Sequence, residues 1–141
     1  MDRLLLRRDQ YEQIIAQCRA ARPHETCGMI FGRDGVGEVV APMDNIAASS
    51  EFYQLDPLAQ MRLIARQEDE ERELTAIYHS HVASPARPSA TDIELAFYED
   101  SAYLIISLRN EPPEGRAFQI IEGAAREIPL EFVESEGYHE R

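Results

Sequence analysis

His79 and His81 stand one residue apart at the start of the stretch HSHVASPARPSATD, which runs to Asp92. In an extended strand, alternate side chains leave on the same side. The two imidazoles then project together, with Cβ atoms about 6–7 Å apart. That separation lets two ring nitrogens meet on one metal ion at about 2.0–2.1 Å each. Two histidines do not complete a tetrahedral shell, and Asp92 is placed to add a third ligand. Pro85 and Pro88 stiffen the intervening loop, Ser89 starts a helix, and Asp92 lies in its first turn. A carboxylate there also suits the helix dipole. His, His and Asp leave one position open to water, the arrangement of a catalytic rather than a structural zinc. A metal so held lowers the pKa of its water toward about 7 and polarises a bound carbonyl.

Each pattern also has a plainer reading. A lone His-x-His fits two ordinary core or surface histidines. Ser89-x-x-Asp92 is by itself a helix N-terminal capping pattern. The metal reading gains from their occurrence on neighbouring elements, in an order that brings them together. A hydrolytic metal site also needs a base that is not a ligand. Many carboxylates are available, and spacing does not choose among them. Glu25 stands out because it sits between a helix and an apolar run, beside Cys27-Gly28. The plain alternative is a surface residue after Pro23.

The elements that must carry these residues follow from periodicity and punctuation. Asp9-Gln-Tyr-Glu12 reads as a capping box, with Tyr11, Ile14, Ile15, Cys18 and Ala21 on one helical face. Pro23 ends that helix. Thr26–Phe31 and Val36–Val40 form a hairpin about Gly32-Arg-Asp-Gly35. Pro42–Ser50 reads as a loop and Phe52–Leu55 as a short strand. Asp56-Pro57 starts a second helix, with Leu58, Met61, Ile64 and Ala65 as its inner face. Leu74–Tyr78 is a strand that leads into His79. Ser89 caps a third helix, with Ile93, Ala96 and Phe97 facing inward. Ala102–Leu108 is a strand buried on both faces. Arg116–Ile121 and Arg126–Phe132 are hairpin arms about Glu122-Gly123, and Pro129 points to an edge. The order predicts an α/β fold with a single mixed β-sheet flanked by helices.

At 141 residues the chain is expected to form one domain, residues 1–141, with 44% hydrophobic and 28% charged residues. These values fit a soluble globular protein. The net charge of −12 argues against nucleic acid and anionic membranes, which favour basic surfaces. The acidic run Glu68–Glu73 reads as a solvated helix end. No apolar stretch approaches the roughly 20 residues of a membrane span, and Leu4–Leu6 is too short for a secretory leader. Cys18 and Cys27 lack the spacing of a metal or redox pair and read as buried hydrophobes. The expected compartment is the cytoplasm.

Taken together, His79-Ser-His81, seven residues, Ser89, two residues and Asp92 resemble the complete signature of the JAMM (MPN+) zinc metalloproteases. Glu25 within His24-Glu-Thr-Cys-Gly28 resembles the catalytic glutamate segment of that family. Asn45, Phe52 and Asp56-Pro57 resemble the pattern between those motifs in compact prokaryotic members. The resemblance implies a cytidine-deaminase-like α/β/α sandwich, the JAMM/MPN domain. It implies one zinc per chain on His79, His81 and Asp92. Glu25 would take a proton from the attacking water and return it to the leaving amine, and Ser89 would donate to the oxyanion. Val82 departs from the proline that many members carry after the second histidine. The chain lacks room for ubiquitin-gripping insertions and most resembles sulfur-carrier-protein–cysteine peptidases. Those act at the C-terminus of a ubiquitin-like β-grasp sulfur-carrier protein, at a peptide or isopeptide bond. Two alternatives stand beside this. One is a zinc hydrolase or deaminase acting on a small molecule, although the related deaminases use paired cysteines. The other is a non-catalytic scaffold, although this chain keeps every ligand of the signature.

Overall fold

A computed structural model describes residues 1–134. Its elements in chain order are β1 (Leu4–Arg7), α1 (Arg8–Ala21), β2 (Cys27–Arg33), β3 (Val36–Met43), α2 (Pro57–Asp69), β4 (Glu73–His81), α3 (Ala90–Glu94), β5 (Ala102–Ser107), β6 (Glu114–Ile121), β7 (Ala124–Ile128) and β8 (Leu130–Val133). The strands join in one mixed sheet of order β7-β6-β5-β4-β2-β3-β1-β8. β4 lies antiparallel to β2 and parallel to β5, so the histidine-bearing strand is central.

Period-two alternation divides the sheet into two faces. Ile30, Ala76, Tyr78, Leu104 and Ile106 pack with Ile14 and Cys18 of α1. Cys27, Met29, Phe31, Ile77 and Tyr103 pack on the other side against Leu63 and Ile64 of α2 and Ile93 of α3. Helices therefore cover both faces, as the element order predicts. His79 and His81 continue the Ile77 series and emerge on the α2–α3 side. The β2–β3 connection is the two-residue pair Asp34-Gly35, both at positive φ (54° and 79°). That conformation matches the twist of a tight hairpin.

Several elements differ from the sequence-based expectation. Leu4–Arg7 is a strand, pairing in parallel with β8, and it runs directly into α1. The helix therefore begins at Arg8, where the Gln10 side chain accepts from the Arg7 N–H at 2.9 Å. Asp9 sits inside the first turn and is not its cap. β3 extends through Pro42 to Met43 and pairs with β2 to its end. Phe52–Leu55 forms no strand. Asp56 does cap α2, accepting from Leu58 N–H at 3.1 Å. The inward stripe of α2 is carried by Leu63 and Ile64, whereas Leu58 and Met61 are 53% and 68% exposed. Met61 borders an apolar groove with Phe52, Leu95 and Phe97. α3 ends at Glu94, before Phe97, which is 81% exposed.

Pro129 divides the last expected arm in two. β7 pairs with β6, while β8 pairs with β1 at the opposite end of the strand order. With no ladder N–H to offer, a proline suits that crossing. Since one residue joins the two outermost strands, the sheet curls until its edges meet at Pro129, where the Leu4 N–H donates to the Pro129 carbonyl at 2.9 Å.

Gly28 lies opposite Tyr78 in the β2–β4 ladder. A Cβ there would clash with the Cζ and hydroxyl oxygen of Tyr78, which is fully buried and donates its hydroxyl proton to Gln17 of α1. Gly28→Ala should therefore destabilise the fold by about 1–3 kcal/mol, the usual range for overpacking. Equilibrium denaturation would measure this; an alanine variant as stable as the parent would contradict the packing described.

Candidate metal centre

The register of β2 and β4 assembles the site. Cys27 pairs with His79. One step on, Thr26 and Ser80 are tied twice: Thr26 N–H donates to Ser80 Oγ at 2.9 Å, and Ser80 N–H to the Thr26 carbonyl at 3.1 Å. Glu25 then lies across from His81. After β4, the loop through Pro85 and Pro88 returns the chain to α3. Ser89 caps that helix by accepting from Asp92 N–H at 3.0 Å, and Asp92 Oδ2 accepts from Ser89 N–H at 2.9 Å. The reciprocal cap orients the Asp92 carboxylate toward the histidines, so capping and site geometry are one arrangement.

His79 Nε2 and His81 Nε2 are 3.2 Å apart, and Asp92 Oδ2 lies 3.2 Å from the first and 3.0 Å from the second. Tetrahedral coordination with bonds of about 2.0–2.1 Å has edges of about 3.3 Å. Three ligand atoms thus outline one face of such a tetrahedron, and the group is able to hold a metal ion. All three residues are buried. The Pro85 carbonyl, 2.8 Å from His81 Nδ1, can only accept, so Nδ1 carries the proton and Nε2 turns its lone pair toward the centre. His79 Nδ1 is buried and makes no hydrogen bond. Its ring lies flat on Tyr53 instead, with centroids 4.3 Å apart and planes at 22°.

The electrostatics match this crowding. Burial alone would raise the Asp92 carboxyl, but the His79 and His81 rings beside it and the Ser89 N–H hold it well below the usual carboxylate range. Burial lowers the pKa of His79, and Asp92 only partly opposes it. For His81 burial also pulls down, yet the hydrogen bonds to Asp92 and Pro85 prevail and raise it. Burial pushes the Glu25 carboxyl up to about 8, with His81 pulling against it and Asp92 adding to it. Glu25 Oε1 is buried without a hydrogen-bond partner. The backbone of Glu25 is held firmly: its N–H donates to the Ser49 carbonyl at 2.8 Å, and its carbonyl accepts from Asn45 Nδ2 at 2.9 Å. A carboxyl with a free buried oxygen beside the metal-capable group is placed for proton transfer.

The structure brings together every site residue expected from the sequence: His79, His81 and Asp92 at the centre, Ser89 at the cap and Glu25 across the ladder. Ser89 is exposed, and with its oxygen accepting from Asp92 its hydroxyl proton remains available to donate. Neither cysteine joins the metal-capable group. Cys18 packs on the α1 face, and Cys27 is directed at the Met43 carbonyl at 3.7 Å. Sequence reasoning missed the Tyr53 stack and the Pro85 carbonyl. The first depends on an irregular loop and the second on a backbone atom, and neither leaves a spacing signal.

Comparison with known proteins agrees with this geometry. Residues 7–121 match the family described as prokaryotic homologs of the JAB domain. The chain is 37% identical over 134 residues to the CysO-cysteine peptidase of Mycobacterium tuberculosis, covering 93% of this chain and 92% of that one. It is 34% identical over 121 residues to the desampylase of Haloferax volcanii, covering 81% and 84%. A solution structure of a protein from Desulfitobacterium hafniense superposes with a TM-score of 0.86 at 34% identity, covering 98% of both chains. The matched region includes Glu25 and the metal-capable residues His79, His81 and Asp92, and the chain belongs to the prokaryotic JAB-domain family, of JAMM/MPN type.

Proposed function

We propose that the protein is a zinc-dependent peptidase, a single JAMM/MPN domain over residues 1–141. It cleaves a peptide or isopeptide bond at the C-terminus of a ubiquitin-like β-grasp sulfur-carrier protein. The observation that carries this is the convergence of His79 Nε2, His81 Nε2 and Asp92 Oδ2 within 3.2 Å of one another, with an unpartnered buried Glu25 Oε1 in the same site. The names of the relatives, a CysO-cysteine peptidase and a desampylase, support the substrate class. A family relationship covering most of the chain supports the reaction type.

In this reading His79, His81 and Asp92 hold the zinc. When bound, the metal polarises the scissile carbonyl and lowers the pKa of a water. Glu25 receives the proton of the attacking water on Oε1. It passes that proton to the nitrogen of the leaving group as the C–N bond breaks, which balances the hydrolysis. Ser89 donates its hydroxyl hydrogen to the oxygen that gains negative charge, while its own oxygen stays fixed by Asp92 N–H. Only an extended tail can bring its carbonyl to such a buried centre without unfolding its owner. No helix among the described residues is long and apolar enough to cross a membrane. The two buried free cysteines support a cytoplasmic location.

Purified protein should take up about one zinc per chain, and Asp92→Ala should lose most of it, measured by elemental analysis after dialysis. Parent protein that remains metal-free in zinc-supplemented buffer contradicts the metal assignment. Glu25→Gln should retain the zinc and lose about 10²–10⁴-fold in rate, read by single-turnover hydrolysis. Equal rates in the two proteins move the base elsewhere. The substrate class is tested by mass spectrometry on β-grasp carrier proteins that end in a cysteine or a short tail. Loss of the tail, blocked by a zinc chelator, is the expected result. Intact carriers alongside turnover of a small amide or nucleoside would overturn it.

A further inference from the structure

His79 and His81 are held in different ways. His81 is fixed through Nδ1 by the Pro85 carbonyl at 2.8 Å. His79 Nδ1 has no such acceptor. A metal-binding histidine is ordinarily oriented by a hydrogen bond from its second nitrogen, so some other contact must fix this ring. Tyr53 supplies one, a near-parallel stack at 4.3 Å and 22°. Rotation of His79 about its χ2 axis would drive its edge into the tyrosine face.

Tyr53 lies in an irregular segment, so its own position needs a cause. Asn45 provides it. Its Nδ2 donates to the Phe52 carbonyl at 3.1 Å, and its Oδ1 accepts from Gln54 N–H at 2.9 Å. Those two groups bracket Tyr53 in the chain. The same Nδ2 donates to the Glu25 carbonyl at 2.9 Å, and the same Oδ1 accepts from Ala47 N–H at 3.1 Å. Both amide hydrogens and both acceptor directions of Asn45 are thereby used. Ile46 N–H to the Gln54 carbonyl at 3.0 Å closes the loop, and Leu55 anchors it in the core.

We propose that Tyr53 is a positioning residue of the metal centre: clamped by Asn45, it sets the rotation of the His79 imidazole in place of a hydrogen bond to Nδ1. This rests on the assignment of His79 as a ligand. Asn45 thus couples two parts of the site through one amide, the backbone of Glu25 and the tyrosine that stacks on His79. The ring face does the positioning, so the phenol hydroxyl is dispensable for it.

The test uses the full chain and reads the metal directly. Metal-free parent, Tyr53→Phe, Tyr53→Leu and Asn45→Ala are titrated with cobalt(II), following its ligand-field bands. Zinc affinity is measured by competition with a chromophoric chelator, and folding by circular dichroism. Tyr53→Phe should keep the affinity and cobalt spectrum of the parent. Tyr53→Leu should bind about 10–100-fold more weakly, the usual loss when support behind a ligand is removed, with altered bands. Asn45→Ala should weaken binding in the same sense although it touches no ligand. If Tyr53→Leu does not fold, Tyr53→Met replaces it. A leucine or methionine variant with the affinity and spectrum of the parent overturns the proposal, as does a phenylalanine variant as weak as leucine. A parent that takes up neither metal removes the ligand assignment itself, a result distinct from either of these.

Discussion

The pairing of Cys27 with His79 across the β2–β4 ladder is the constraint on which the rest depends. It sets Glu25, from the segment between α1 and β2, against metal-capable residues that lie more than fifty residues later in the chain. The doubled bond between Thr26 and Ser80 fixes this register at the residue between the histidines. A slip of one position would turn both imidazoles to the α1 face, among Ala76, Tyr78 and Leu104. Tyr78 guards the same register from the other side, because only the flat backbone of Gly28 leaves room for its ring. Gln17 reinforces it from α1, donating to Thr26 Oγ1 at 2.8 Å and to the Cys27 carbonyl at 3.0 Å.

The two faces of the sheet carry different loads. The α1 face is an aliphatic core with few polar atoms. The α2–α3 face buries two histidines and two carboxylates beside its apolar cluster. Burying such groups is costly unless they are hydrogen-bonded or bind a metal. Among the described residues, the buried side-chain atoms without a hydrogen bond are Arg3 Nη1, Glu25 Oε1 and His79 Nδ1, and the last two sit in the site. Local departures from good packing practice concentrate where function is expected. The face with the weaker core is also the one with Met61, Leu95 and Phe97 open to solvent.

Much of this was legible in the sequence. The His-x-His spacing, the Ser89 cap and the Asp56-Pro57 start each rest on local chemistry, and each lies where its pattern implies. The buried run Ala102–Leu108 and a turn within Gly32–Gly35 were equally plain, although the strands run on to leave only Asp34-Gly35 between them. What was hidden depends on distant partners. Leu4–Arg7 reads as too short and too charged for a strand until β8 is beside it. Arg126–Phe132 alternates as one arm, and only the curling of the sheet assigns its halves to opposite edges. The inner face of α2 differs from its periodic reading because Leu58 is exposed and Met61 borders a groove, while Leu63 and Ile64 face the sheet. At the site, local pattern pointed to the metal-capable residues His79, His81 and Asp92, while their supports came from a backbone carbonyl and an irregular loop.

The junction at Pro129 also bears on how the molecule is made. Leu4, Leu5, Leu6 and Arg7 find their ladder partners in Leu130, Glu131, Phe132 and Val133, while β3 offers β1 a single partner, Val36. A growing chain emerges N-terminal end first, at about 5–20 residues per second. Its first strand therefore waits for almost the last to be synthesised. Glu25, the histidines and Asp92 all emerge in the interval, on or beside β2, β4 and α3, and β2 and β4 neighbour one another without β8. Synthesis of the metal-capable residues and synthesis of the strand that closes the sheet are thus separated in time, the seam coming later.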